Sequence, residues 1–201
     1  MREKKDGSVV VSTTVLYASR NLGVVEDKLQ HPTAGRRDCR YLWMSPQVRV
    51  VPLTPGGKLV LIREFKYPNN DYFLGVPAGK KREGETIFAA AKRELEEETS
   101  YTTESFVDLG AFHPMAKTLQ QDAGSVLALD VRPLSPHQYY NHDAYEKASI
   151  SVILMDPAEV VAAVDASQLT DGQALAVLFK AFVHLGLVMP RQIPTQLAFS
   201  G

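Results

Sequence analysis

The chain has 201 residues, with 22 Lys and Arg against 23 Asp and Glu and a hydrophobic fraction of 45%. That length lets one globular unit bury roughly 70% of its unfolded surface, and the balanced charge argues against an extensive nucleic-acid surface. No apolar run approaches the about 20 residues that cross a bilayer, and the opening MREKKDGS lacks the hydrophobic stretch of a secretory signal, so a cytoplasmic protein with no membrane association is expected.

Residues 8–15, SVVVSTTV, have strong β propensity, and NLGVVEDKLQH can continue an extended or hairpin element. Residues 1–46 are therefore read as an N-terminal β extension, and residues 47–201 as the main domain with its C-terminal helix. The lone Cys39 can neither close an internal disulfide nor build a cysteine-based zinc site; it is expected to be a small buried hydrophobe. In QVRVVPLTPGGKLVLIREF, apolar strands flank PGG at 55–57, which predicts a hairpin. The string KYPNNDYFLGV is rich in turn formers and aromatics and predicts a loop.

Residues 86–98 combine helix formers with Ile87, Ala91 and Leu95 at intervals of four, an inner stripe. FVDLGAF and SVLALDV follow as strands around HPMAKTLQQDAG, and KASISVILM at 147–155 is another. Asp156, Pro157 and Glu159 supply a cap, an N1 proline and an N3 acid for a short helix through Val164. The last helix is expected to begin after Thr170. Thr170 and Gln173 have capping-box spacing, Leu175, Leu178, Phe179 and Phe182 make the apolar stripe, and Gly186 ends the run. Strands, a helix, more strands and terminal helices suit an α/β sandwich with a mixed sheet better than a regular βαβ array.

The stretch GKKREGETIFAAAKRELEEETSY places Glu94, Glu96, Glu97 and Glu98 within five positions of the predicted helix. Residues four apart differ by about 40° around a helix, so Glu94 and Glu98 share a face. Solvent on an ordinary charged face can relieve their repulsion, or a hard divalent cation can; Mg²⁺, with Mn²⁺ as a substitute, suits carboxylates together with phosphate oxygens. Glu97 lies near that face, whereas Glu96 points away and is assigned to solvent. Arg93 can pair with Glu85 or Glu97, and Gly79 and Gly84 permit a turn before the helix. Pro77 and Ala78 can bring a strand end beside the carboxylates, where the Ala78 carbonyl is a candidate third oxygen ligand.

Gly79, Glu85, Arg93, Glu94, Leu95, Glu97, Glu98 and Tyr101 stand at the spacings of G-x5-E-x7-R-E-U-x-E-E-x-G-U, U being bulky and apolar, and Ser100 replaces the last glycine. In these residues the sequence resembles the Nudix hydrolase family. The resemblance implies a Nudix-type α/β/α sandwich over 47–201 carrying the N-terminal β-strand extension. VLIREFKY, the VPAG before the motif, a proline-containing loop after it and TDGQALAVLFKAF are similar to the ADP-ribose pyrophosphatase and nucleoside-diphosphate-sugar hydrolase branch. Members of that branch cleave the pyrophosphate of a nucleoside diphosphate joined to another group, and often dimerise by exchanging N-terminal strands. The resemblance implies that the Ala78 carbonyl, Glu94 and Glu98 bind divalent metal, that Glu97 completes the metal and water network, and that Gly79, Glu85, Arg93 and Leu95 organise loop and helix. A small nucleotide substrate and a homodimer are implied with them. Two departures bear on the leaving group: Val76 precedes P-A-G where many relatives carry an acid, and Pro114 lies 13 residues after Tyr101, slightly short of the ADP-ribose hydrolase spacing.

Arg63 and Lys66 are candidate phosphate contacts, Arg63 having the more directional fork, with ordinary structural ion pairing as the alternative. Glu64 is a candidate for a base edge or ribose, or pairs with Arg63. Tyr67, Tyr72 and Phe73 offer stacking surfaces or simple packing, and Pro114 joins the substrate side through the resemblance. The water-activating base is sought in NHDAYEK, Glu146 ahead of Asp143, with His113, His142 and Asp122 as further candidates. The leading expectation is metal-dependent hydrolysis of ADP-ribose or a related nucleoside diphosphate sugar. A pyrophosphatase for nucleoside triphosphates, dinucleoside polyphosphates or coenzymes is one alternative, and a catalytically silent nucleotide-binding protein the other.

Overall fold

A computed structural model of the chain describes residues 2–135 and 148–188; His142, Asp143 and Glu146 lie outside them. The β-branched N-terminal residues form an antiparallel meander of β1 (Arg2–Glu3), β2 (Val9–Ala18), β3 (Leu22–His31) and β4 (Gly35–Met44). Ser19 fastens the β2–β3 turn: its hydroxyl donates to the Leu22 carbonyl at 3.0 Å and accepts the Leu22 N–H at 3.2 Å. Gly23 faces Trp43 across the ladder, and a Cβ on Gly23 would lie 2.1 Å from the indole Nε1, so only glycine lets the ring lie there. Cys39, expected in the core, is only partly buried because β4 belongs to this outlying and mostly exposed sheet.

The main domain follows with β5 (Gln47–Pro52), β6 (Leu59–Lys66), β7 (Asp71–Gly75), β8 (Ala78–Lys80), α1 (Ile87–Thr99), β9 (Tyr101–Thr102) and β10 (Ser105–Phe112). It continues through β11 (Leu119–Gln120), β12 (Ala123–Leu129), β13 (Arg132–Pro133), β14 (Ile150–Met155), α2 (Pro157–Asp165) and α3 (Gly172–His184). One sheet has the order β10-β12-β5-β8, with β12 parallel to β5 and the other pairs antiparallel; a second has the antiparallel order β14-β6-β7. Strand β11 runs parallel to β4 at Leu42 and Trp43, which ties the N-terminal meander to the loop after β10.

Two expectations for the stretch from 47 to 75 change. The turn at 54–58 forms, with Gly57 at φ 78° and the Thr54 N–H bonded to the Lys58 carbonyl at 2.8 Å, but β5 and β6 enter different sheets and share only a Leu53–Leu59 bridge. The physical reason is that both strands are apolar on both faces. Val50, Val51, Val60 and Leu61 are all fully buried, so each strand lies between layers and not in a one-sided ribbon. The stretch expected as a loop contains a 3₁₀ turn, Tyr67–Asn69, and then β7, because Tyr72 and Phe73 favour pairing with Phe65 and Glu64.

The two faces of the strands make two cores. Val48, Val50, Val60 and Val126 pack with Ala91 and Leu95 of α1, while Val51, Leu59, Leu61 and Leu127 pack with Val160 of α2 and Val177 and Leu178 of α3. Fully burying each such Val or Leu contributes about 1.5–3 kcal/mol, and the result is an α/β/α sandwich. Helix α2 starts as expected, the Glu159 carboxylate accepting the Asp156 N–H at 2.7 Å. In α3 the cap is Asp171 and not Thr170, since its carboxylate accepts two N–H groups, from Gln173 at 2.9 Å and Ala174 at 2.7 Å. The buried face of α3 is Ala174, Val177, Leu178, Ala181 and Phe182, and Phe179 is 60% exposed, so it leaves the expected stripe. Among the described residues no helix is long and apolar enough to cross a membrane.

Candidate active site

Helix α1 is held at both ends. The Thr86 hydroxyl accepts the Ala89 N–H at 3.1 Å, and Ser100 closes the C-terminus in the left-handed region at φ 57°, ψ 29°. An L-residue pays roughly 1 kcal/mol for that conformation, which glycine adopts freely. Ser100 offsets it with two backbone bonds, donating to the Glu96 carbonyl at 3.0 Å and accepting the Leu134 N–H at 2.8 Å. The motif's missing glycine therefore leaves the helix exit intact.

Arg93 uses all five of its N–H donors. Nε and Nη2 hold the two oxygens of Glu85 at 2.8 and 3.0 Å, Nη1 reaches Glu94 at 2.6 Å and Glu97 at 2.9 Å, and Nη2 also donates to the Lys80 carbonyl at 2.8 Å. The Arg93 side chain is only 13% exposed, so these bonds are weakly screened. They hold Glu85 ionised, its carboxyl lowered to about 2 chiefly by the Arg93 hydrogen bonds. Glu85 in turn shapes the loop before the helix, accepting the Arg82 N–H at 2.8 Å and, through its carbonyl, the Lys81 ammonium at 2.9 Å. Gly84 provides the turn at φ 76°. Gly79 does not: it lies in β8, and a Cβ there would sit 2.2 Å from the Glu94 carboxyl carbon. Its requirement is close approach of a carboxylate to the strand, not backbone bending.

Glu98 accepts the Ala78 N–H at 2.9 Å, so β8 and α1 meet at the carboxylates as the sequence led one to expect. Enclosure by protein pushes the Glu98 carboxyl well above the usual range; Glu94 and Glu64 push it further, while the Ala78 N–H and Lys66 pull it back. Glu94, Glu97 and Glu98 share the wall of a cavity of about 470 Å³ with Ala78 and Gly79, and Arg20, Lys80, Lys81 and Arg82 lie around it. Glu96 is corrected: it is 5% exposed, not solvated, because the opposite face of α1 meets β9 and the Thr102 hydroxyl donates to its carboxylate. Leu95 is fully buried in the core beneath α1.

The other expected contacts spread around this cavity. Arg63, Glu64, Lys66, Tyr67, Phe73 and Pro114 do not line it. Glu64 pairs with Lys66 and not with Arg63, and both lie close enough to Glu98 to act on its charge. Arg63 stacks over the Tyr72 ring at 5.0 Å, whose edge meets Phe65 at a 5.4 Å centroid distance. Tyr67 is 80% exposed, Phe73 is half-buried, and Pro114 is half-buried between β10 and β11. His113 and Asp122 are exposed.

Sequence reading missed Arg49. Its Nε donates to Gln173 of α3 at 2.9 Å, its Cα pairs with Ala78, and it lies within the fields of Asp171, Glu98 and Glu64, which counter the effect of its burial. The only signal was a cation inside the apolar run QVRVVP, and its partner lies 124 residues away.

The donors around the cavity are hard carboxylate oxygens, which suit Mg²⁺ or Mn²⁺ and not a soft metal. Gly79 leaves room for the Glu94 carboxylate against β8, and the mutual repulsion at Glu98 is what a cation would neutralise. Among the described residues no three His, Cys, Asp or Glu donors already converge on one point; Arg93 holds Glu94 and Glu97 instead.

The model of the NUDIX domain family matches residues 43–174, well over half of the chain. The chain belongs to the NUDIX family. It is 29% identical over 114 residues to an ADP-ribose pyrophosphatase of Bacillus subtilis (strain 168), covering 57% of this chain and 61% of that one. It is 30% identical over 103 residues to a methanol dehydrogenase activator of Bacillus methanolicus, covering 51% of this chain and 55% of that protein. Over 46 residues it is 48% identical to an ADP-sugar pyrophosphatase of Mus musculus, covering 23% of this chain and 21% of the other. The chain thus spans less than two thirds of the length of each of these curated relatives. The crystal structure of an ADP compounds hydrolase superposes with a TM-score of 0.75 at 21% identity, over 94% of this chain and 100% of that one, which shows that the two share a fold.

The contact between Gly79 and Glu94 is open to test. Overpacking costs about 1–3 kcal/mol, so Gly79→Ala is expected to lower the urea midpoint clearly. Gly75→Ala, whose new Cβ would meet only the Ala174 Cβ at 3.9 Å, is the control and should stay within about 1 kcal/mol of wild type. Equal losses in the two variants would contradict the close-approach role.

Proposed function

We propose that the chain is a divalent-metal-dependent pyrophosphohydrolase that converts water and ADP-ribose, or a related nucleoside diphosphate sugar, into a nucleoside monophosphate and a sugar phosphate. The observation that carries this reading is the gathering of Glu94, Glu97 and Glu98 on one cavity wall with cations at its rim. The relatives named for ADP-ribose and ADP-sugar pyrophosphatase activity support the substrate class.

Glu94, Glu98 and the Ala78 carbonyl are assigned to hold Mg²⁺ or Mn²⁺. When bound, the ion neutralises pyrophosphate oxygens and stabilises charge on the departing phosphate. Glu97 orients water, and Arg93 fixes Glu97 and Glu94 at the required separation from Glu85. The Ala78 N–H aims the Glu98 carboxylate. Glu64 and Lys66 form the polar edge beside Glu98 that meets the substrate, with Arg63, Tyr67, Phe73 and Pro114 assigned to its outer parts. Glu146, with Asp143 behind it, is assigned to take the water proton.

A hydrolysis panel of ADP-ribose, other nucleotide sugars, triphosphates and coenzyme pyrophosphates, with product identification, tests the substrate class. Release of orthophosphate or pyrophosphate without a sugar phosphate would reject it. Glu98→Gln and Glu146→Gln should each lower turnover at saturating Mg²⁺ by at least about 100-fold without comparable loss of stability. Near wild-type turnover in either rejects that residue's role.

We also propose a homodimer joined through the N-terminal sheet, in keeping with the branch resemblance. Val11, Val15, Leu16 and Tyr17 of β2 are each more than half exposed, an apolar surface suited to a second copy. Sedimentation should give twice the 22.2 kDa chain mass, and a monomer at every concentration would dismiss the assembly.

A further inference from the structure

The cavity beside the carboxylates is not built from the NUDIX region alone. Arg20 and Asn21 line it, and both lie in the β2–β3 turn, ahead of the residues 43–174 that match the family. The turn is fixed from three directions. Ser19 closes it on Leu22, the Asn21 carbonyl accepts the Ser45 N–H at 3.0 Å, and the Trp43 ring lies across Gly23 just beyond it. The Ser45 carbonyl then accepts Gln121 Nε2 at 3.0 Å, and Gln121 is buried at 6% exposure. The backbone of the turn is thereby held at the mouth of the cavity.

The cations around that mouth differ in what they do. Lys81 is bonded to the Glu85 carbonyl, and Arg82 reaches Glu97 at 3.4 Å, so both serve the loop and helix. Arg20 is exposed and forms no salt bridge among the described residues. Lys80, also exposed, likewise forms no salt bridge among the described residues, but it offers a point charge, whereas Arg20 carries a guanidinium on a fixed turn. Its planar fork matches the paired oxygens of a phosphate.

We propose that Arg20, delivered by the β2–β3 turn of the same chain, binds a phosphate of the substrate's pyrophosphate and makes the N-terminal sheet part of the specificity apparatus. This rests on the reading of the cavity as a pyrophosphohydrolase site. The interaction attracts ground state and transition state alike, so its loss raises KM more than it lowers kcat.

The test compares wild type with Arg20→Gln, Arg20→Lys and Arg36→Gln, the last removing an exposed charge at the start of β4. Kinetics use ADP-ribose with Mg²⁺, and calorimetry titrates inorganic pyrophosphate into each protein with Mg²⁺ present. Arg20→Gln should raise KM and weaken pyrophosphate binding by about 10-fold or more, with kcat within about threefold of wild type. Arg20→Lys should recover part of the loss, and Arg36→Gln should match wild type. Unchanged KM and pyrophosphate affinity in Arg20→Gln, or an equal loss in Arg36→Gln, overturns the assignment. If wild type hydrolyses no nucleoside diphosphate compound, the hydrolase reading fails on its own, and the pyrophosphate titration still decides the role of Arg20.

Discussion

One guanidinium sets the geometry on which the site depends. Glu85, Glu94 and Glu97 all bring negative charge to Arg93, and its five bonds distribute a single positive charge among them and the Lys80 carbonyl. The planar fork does this with fixed angles, which a lysine ammonium on a flexible stem does not offer. The loop at 80–85 and the C-terminal half of α1 are consequently one unit, and the cavity wall is its inner surface.

The sandwich supplies the platform for that unit. Strands buried on both faces allow α1 to lie on one side and α2 and α3 on the other. Helix α1 approaches the sheet at two glycines. A Cβ on Gly124 would lie 2.4 Å from Ile87 Cδ1 near the start of the helix, and one on Gly79 would enter the Glu94 carboxylate further along. On the other face, Arg49 joins the first turn of α3 to the strand that pairs with Ala78, so both layers bear on the same strand end. Asp171, by taking over the cap of α3, leaves the Gln173 side chain available for that link.

Much of α1 was legible in the sequence because its determinants are local: the four-residue apolar interval and the ion-pair spacing of Arg93 and Glu97 both act within one helix, whereas the Thr86 cap emerged only from the structure. The same holds for the Asp156–Glu159 start of α2. Misreadings occurred where a distant segment decides. A helical wheel shows that Glu96 points away from Glu94, but not that Thr102 waits there to bond it. Spacing marks Gly79 as required without distinguishing a turn from a close approach. The TPGG turn is readable, yet the departure of β5 and β6 into separate sheets follows from burial on both of their faces. The partner of Arg49 and the cavity that Arg20 lines are brought together only by folding.

The most direct measurement of the Arg93 clamp is amide hydrogen exchange in Arg93→Lys, read at Arg82, whose N–H is bonded to the Glu85 carboxylate at 2.8 Å. Lysine keeps the charge and discards the fork, so Glu85 should lose its fixed position and Arg82 exchange should accelerate by about 10-fold or more, while the buried Val50 and Leu95 amides keep their protection. Wild-type exchange at Arg82 in Arg93→Lys would contradict the clamp, since it would show that the loop holds its shape without the guanidinium.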